Sequence, residues 1–359
     1  MLSHLSRARS KLRFCTVIIF SAIFSYPALA EVGGVTGLAL DFGSPRHQLW
    51  AILKEKPRGG ERFAFSIADQ LSLNPRRQQH PYITGSILTF TPTINYDRNV
   101  NNGFNGDTIY IWGLPFSVDE NSRAVEALTV GGALTSGIAF GIAPSTTLSF
   151  STRAGYQRAL SKDFEIFTGT AVANLGYTTQ GWSYINVGLL LNREERDLSD
   201  ETVKIGSFTV GKLFGTPVGN LHDVSMTLIR AEQKSTWHDR VRFDWTSFHS
   251  SRGVLRMTLE HGEGVEAVLL PQNTFSTSFS SYLFNAPSTI TVLYSKYTGG
   301  RFFGSEREDK IYKIRLERKI SQRLISYFSY EKKVSTLNSF NDQGIDIGIS
   351  FSGFRVRTH

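Results

Sequence analysis

The sequence predicts an all-β fold, a transmembrane antiparallel up-and-down β-barrel of about sixteen strands, within a range of roughly 14–18. Three observations predict it. The chain opens with the layout of an export signal, and the remainder is built from segments of about ten residues with apolar side chains at every second position. The connections between those segments alternate between short turns and longer polar loops.

Arg7, Arg9, Lys11 and Arg13 precede the apolar run FCTVIIFSAIFS, and Pro27-Ala28-Leu29-Ala30 precedes Glu31. A basic segment, a short apolar stretch and an A-x-A end make a cleaved secretory signal, so residues 1–30 are expected to leave with cleavage after Ala30. The apolar run is too short to cross a bilayer as a helix, and no later stretch has the ~18–20 unbroken apolar residues a spanning helix needs. Cys15, the single cysteine, falls inside the signal, which excludes a disulfide-stapled scaffold. Of the 39 Lys and Arg, four fall in the signal, leaving 35 against 31 acids, a net charge of +4. That balance gives no reason to expect nucleic acid as a partner.

The last strand-like run is the clearest. In GIDIGISFSGF, 344–354, Ile345, Ile347, Ile349 and Phe351 share one face and Asp346, Gly348, Ser350 and Ser352 the other. Counting back, strands are expected at 323–333, 310–320, 288–298, 273–284, 252–261, 239–248, 221–231 and 203–216. Before them come 181–192, 163–176, 147–158, 124–142, 83–98, 61–72 and 46–55, with Glu31–Pro45 left as an N-terminal periplasmic or luminal segment. The barrel proper is then 46–359. Short turns fall at 217–220, 249–251, 285–287 and 321–322, and longer loops at 194–202, 232–238, 262–272, 299–309 and 334–343. With the C-terminus in the periplasm, the short turns are periplasmic and the longer loops extracellular.

Charge gives an independent check on this orientation. Following the apolar face of each outward-running strand to its extracellular end leads to Lys54, Arg98, Arg158, Arg193, Arg230, His261, Lys296 and Lys332. Long basic side chains at that level can reach the phosphates of lipopolysaccharide, so these eight are read as lipopolysaccharide-facing. Trp182, Trp245, Phe248, Tyr282 and Phe284 near the short turns, and Tyr96, Tyr156, Trp237 and Tyr297 near the loops, are expected to form interfacial girdles.

In these features the chain resembles Gram-negative outer-membrane β-barrel proteins as a class, porin-like, over roughly 46–354. The resemblance implies residence in the outer membrane and a final aromatic residue, Phe351 or Phe354, read by the barrel assembly machinery. The tail Arg355–His359 departs from that pattern.

The opposite faces of the same strands carry Arg240, Arg242, Asp244, Arg256, Glu260, Lys313, Arg315, Glu317 and Lys319. Such a density of charge cannot face a dry core without a large desolvation cost, so these residues are expected to line water. The longest connection, 99–123, carries Asp107, Asp119 and Glu120 and is either a constriction loop folded into the lumen or an extracellular hairpin. No residue set supports a metal or cofactor: the Asn-rich YDRNVNNGFNGD lacks the spacing of a calcium loop, and no phosphate-loop lysine follows the Gly-rich stretches.

Catalytic candidates are weak. His222-Asp223 and His238-Asp239 are sequence neighbours, and neighbours on a strand point to opposite faces. The expected function is therefore not enzymatic: an outer-membrane channel passing small hydrophilic solutes by diffusion through a charged lumen. A plugged, non-channel barrel acting in envelope assembly, export or surface binding is the alternative, and an outer-membrane hydrolase a weaker one.

Overall fold

The computed structural model describes residues 34–356, apart from positions 58, 78, 112, 162, 218, 267, 322, 323, 352 and 353. The expected signal peptide and the tail beyond Val356 lie outside the described residues. Three helices come first: α1 (Gly34–Phe42), α2 (Pro45–Glu55) and α3 (Gly60–Gln70). The strands follow as β1 (Tyr82–Asp97), the small hairpin β2 (Thr108–Ile111) and β3 (Leu114–Ser117), then β4 (Ala127–Ala143), β5 (Thr146–Ala159), β6 (Glu165–Thr178), β7 (Ser183–Arg196) and β8 (Ser199–Gly215). After these come β9 (Leu221–Gln233), β10 (Thr236–His249), β11 (Gly253–Gly262), β12 (Leu270–Leu283) and β13 (Ala286–Phe302). The last are β14 (Ser305–Lys319), β15 (Leu324–Ser335), β16 (Asp342–Phe351) and the short β17 (Phe354–Val356).

Sequential strands from β4 to β16 pair antiparallel, β1 pairs with β4, and both β16 and β17 pair with β1. The sheet therefore closes on itself with no free edge. Among the described residues fourteen staves make the barrel, β1 and β4–β16, not sixteen. The two expected strands at 46–55 and 61–72 are α2 and α3. Their apolar residues satisfy a helical period: Leu49 and Ile52 lie three apart, and Gly60, Ala64, Ile67 and Ala68 are the buried positions of α3. Ser44 before Pro45 is the helix-start signal that a period-two reading of Trp50 and Ile52 passes over. The stretch GLALDF likewise lies in α1 rather than a strand.

Several expected loops are also strand. Positions 194–202 and 299–309 lie almost wholly in the β7–β8 and β13–β14 hairpins, and 232–238 in β9–β10, so these hairpins turn within two residues. β4, β8 and β13 each run 17 residues, well past the ~9–11 a tilted strand needs to cross a bilayer. The polar segments are strand extensions beyond the membrane, where backbone pairing continues without an apolar face.

The closing strand keeps its expected alternation. Ile345, Ile347 and Ile349 are exposed on the outer side, while Asp346 lies opposite, within reach of Arg98 and Ser329. Gly348 sits under the Tyr327 ring, where a Cβ would lie 2.4 Å from the phenol. Only glycine lets the tyrosine lie flat across its neighbour.

Candidate functional site

At the short-turn end the inward positions of five successive staves are apolar: Tyr184 on β7, Leu213 on β8, Leu221 on β9, Phe248 on β10 and Val254 on β11. Val35, Leu38 and Ala39 of α1 pack against them, with Phe42, Trp50 and Trp182 alongside. Leu49 and Ile52 of α2 and Ala64, Ile67 and Ala68 of α3 form a second cluster, and Trp182 packs against both. Trp182 and Phe248, expected in an interfacial girdle, instead belong to this core; Phe248 is fully buried.

Polar contacts fix the helices to the wall. The Glu55 carboxylate accepts from the backbone N–H of Val35 and Thr36, both at 3.0 Å, which satisfies two of the free donors at the start of α1. Arg256 donates to the carbonyl of Phe42 at the other end of α1, a cation where the helix dipole favours one. Tyr282 donates to Asp41, and Ser72 Oγ donates to the Ala143 carbonyl at 2.8 Å. These contacts run over β4–β12.

The densest group surrounds Asp223. His47 Nε2 and the Tyr184 hydroxyl each lie 2.8 Å from its carboxylate, and the Arg46 guanidinium sits 3.6 Å over the Tyr184 ring. Burial lowers the Arg46 guanidinium from its ordinary value, while the Tyr184 phenol and the Asp223 carboxylate act to raise it. Ser44 Oγ is 3.0 Å from His47 Nδ1, so the contacts run Ser44–His47–Asp223 as in a serine hydrolase. The Ser44 backbone N–H also donates to that Nδ1 at 3.0 Å, occupying the lone pair that would accept a serine proton. The group fastens α2 to the barrel. Sequence reading set Asp223 aside with its neighbour His222; its partner is 176 positions away.

Away from the helices the inward face changes character, and its charges run from Arg256 and Lys319 near the short turns to Arg240 and Lys313 toward the long loops. Arg240, Arg242, Asp244, Arg256, Glu260, Lys313, Arg315, Glu317 and Lys319 occupy the face opposite Val241, Phe243, Leu259, Ile314 and Leu316, which are exposed outward. Arg240 and Glu260 pair at 2.7 Å, Arg242 and Asp244 at 3.0 Å, Lys313 and Glu331 at 2.9 Å, and Arg315 and Glu317 at 2.7 Å.

Lys313, Arg315 and Glu331 also line a cavity of about 370 Å³ bounded by β1, β14, β15 and β16 and reached by Arg196 of β7. Arg98 Nε is 3.1 Å from Asp346 and its Nη1 3.4 Å from Asp342. Arg196 Nη1 is 3.1 Å from Asp97 and donates to the Asn99 carbonyl at 2.9 Å. Tyr327 donates to Asn95 at 2.9 Å.

Arg98 thus turns inward instead of toward lipid. The strand ends one residue earlier, where the Asp97 carboxylate accepts from the Asn99 N–H at 2.9 Å; beyond that turn alternation no longer governs the side chain. Asp346 is on the face its alternation predicts; Asp97, Arg196 and Asp342, not singled out as site residues by sequence reasoning, carry a legible signal only in part, since all lie on polar faces of strands but their convergence requires the closed barrel.

The 98–126 connection leaves its acids outside. Asp107 pairs with Arg123 of its own loop at 3.1 Å, and Asp107, Asp119 and Glu120 are exposed. It is the start of the loop that turns in: Val100 and Asn101 are fully buried, and the Asn101 carbonyl accepts from the Leu198 N–H at 3.1 Å. Phe104 meets Phe302 and Phe340, so the loop touches the β7–β8 and β13–β14 hairpins on either side of the mouth.

Of the eight expected lipopolysaccharide-facing residues, Arg158, Arg193, Arg230, His261, Lys296 and Lys332 lie on the outward face near this end. Lys54 does not, because it is in the last turn of α2. The outward face between the two ends carries Leu88, Phe90, Phe150, Val187, Leu189, Val210, Met226 and Phe243 among many exposed large apolar side chains, continuing around the staves. An apolar belt on that scale is stable only against lipid. This is a membrane-spanning β-barrel.

No family model matches the barrel's sequence, and no curated protein matches it. Among solved structures the barrel is similar to Pseudomonas aeruginosa OccK2 (OpdF), with a TM-score of 0.41 and 8% identity over 76% of this chain and 98% of that one. Acinetobacter baumannii OccAB3 gives 0.38 and 8% over 76% and 99%, and the β domain of the Bordetella autotransporter BrkA 0.29 and 9% over 75% and 100%. Likeness this slight carries no conclusion about what the barrel does.

Proposed function

We propose that the protein is an outer-membrane channel through which small hydrophilic solutes diffuse down their gradients, biased by a charged lumen. The observation that carries this reading is the inward face of β10–β16, where Arg240, Arg242, Lys313 and Arg315 stand with Asp244, Glu260, Glu317 and Glu331 in a ladder of pairs. Charges of both signs on the inside of an apolar shell need water around them, and a hydrated lined lumen passes polar solutes. The helix fastenings named above run over β4–β12, so the path is assigned to the wall of β13–β16, entered through the Arg98–Asp346 cavity. No cofactor and no catalytic group are required.

Export by a signal cleaved after Ala30 and insertion by the barrel assembly machinery reading Phe351 or Phe354 belong to the same reading. So does contact of the outward basic residues with lipopolysaccharide. Asp107, Asp119 and Glu120 are assigned to the outer mouth, and Asn99–Asn101 to the lumen.

Reconstitution of the purified barrel into planar bilayers tests this. Stepwise conductance that falls as the ions are made larger is expected; a barrel that inserts and passes no current overturns it.

A further inference from the structure

The outward face carries a feature for which solute passage has no use. Between Phe150, Leu189, Leu191 and Trp237 runs an apolar groove of about 630 Å³ across β5–β10. Leu189 and Trp237 are 62% and 52% exposed and stand as its walls, while Thr152, Ala171, Ala173 and Gly206 give a low floor. Glycine is not demanded at 206 by the backbone. A Cβ there would come no nearer than 3.9 Å to any neighbour, so the missing side chain leaves open space.

The groove has a polarity. Its hydrogen-bonded rows lead from Phe150 through Ala173 and Leu189 to Gly206 and Arg230, and from Thr152 through Ala171 and Leu191 to Lys204. Arg230 is 68% exposed, lies 5.6 Å from the Trp237 ring, and is 3.8 Å from Asp239, too far for a hydrogen bond. Its donors are available to a ligand. Lys204, also more than half exposed, stands on the next strand with its Nζ 3.0 Å from the Glu232 carboxylate, an exposed pairing that a phosphate can replace at little cost.

We propose that this groove binds a phosphate-bearing membrane lipid, one acyl chain lying over Gly206 and Ala173 and the phosphate held by Arg230 and Lys204. An apolar slot that rises to two cations repeats the order of a lipid from chain to headgroup, and a guanidinium matches phosphate geometry with paired donors. Its volume is in the range of small-ligand sites. The site rests on the reading that the outward basic residues meet lipopolysaccharide, and does not depend on whether the lumen conducts.

The test is native mass spectrometry of the purified barrel in non-ionic detergent, titrated with diphosphorylated lipid A, and with dephosphorylated lipid A as comparator. One lipid A per barrel is expected, with binding weakened about tenfold in Gly206→Phe, which fills the slot, and in the Lys204→Gln/Arg230→Gln pair, which removes the headgroup contacts. Val292→Phe, on the outward face of β13, should bind as the native chain does. Unchanged binding in both groove variants, equal loss in Val292→Phe, or equal affinity for the dephosphorylated lipid overturns the proposal. The glutamine variants add no bulk, so a folding defect confined to Gly206→Phe does not decide the outcome.

Discussion

The two ends of the barrel are built from the same strands and do opposite things with them. On β10 the inward positions read Phe248 at the short-turn end, then Thr246, Asp244, Arg242, Arg240 and His238 toward the loops. Phe248 disappears beneath helices, whereas Arg242 and Arg240 find carboxylates. Alternation along a strand sets which side chains point in; it does not set whether the inside is oil or water. That is decided by what else the chain puts there. At the short-turn end three helices supply apolar surface, and at the other a loop supplies backbone carbonyls and the Asp97 and Arg98 pairings.

The sharpest way to break this contrast is to remove the residue at the centre of the apolar end. Phe248→Ala should cost the helix docking about 3–5 kcal/mol, the usual effect of emptying a fully buried aromatic site. Amide exchange across 34–73 should speed up sharply while exchange in β4–β16 stays slow; equal acceleration in both would mean that helices and barrel are one cooperative unit. A smaller effect of the same kind is expected for Asp223→Asn, which keeps the shape but removes the charge that holds His47 and Tyr184. About 1–3 kcal/mol of docking should be lost, read from the same exchange experiment.

At the charged end the measurement changes from stability to selectivity. Lys313→Gln with Arg315→Gln leaves Glu317 and Glu331 without their partners, so the reversal potential in a salt gradient should move toward cation preference. An unmoved reversal potential would take this wall out of the solute path. Arg98→Gln frees Asp342 and Asp346 at the cavity mouth and should shift selectivity the same way with about 1 kcal/mol of lost stability, since these groups are only partly buried. Least affected should be Asp107→Asn, whose exposed pairing with Arg123 stays within its own loop: conductance is expected to hold and stability to change by less than about 0.5 kcal/mol.

Much of this molecule was determined by its sequence alone. A period of two is a local property, so every stave from β1 to β16 can be found from neighbouring residues, and Ile345, Ile347 and Ile349 face outward as their spacing requires. Arg240, Arg242, Lys313 and Arg315 alternate with the exposed Val241, Phe243, Ile314 and Leu316 for the same reason. Tertiary structure decided the rest. Helix or strand is ambiguous for an eleven-residue stretch such as α2, where Trp50 and Ile52 fit one period and Leu49 and Ile52 the other, and packing inside a barrel base resolves it. Arg98 sits one residue past its strand, where alternation stops and a turn redirects it. The pairing of His47 with Asp223 and of Arg196 with Asp97 joins residues 176 and 99 positions apart. No local pattern encodes such partners, because closure of the sheet brings them together.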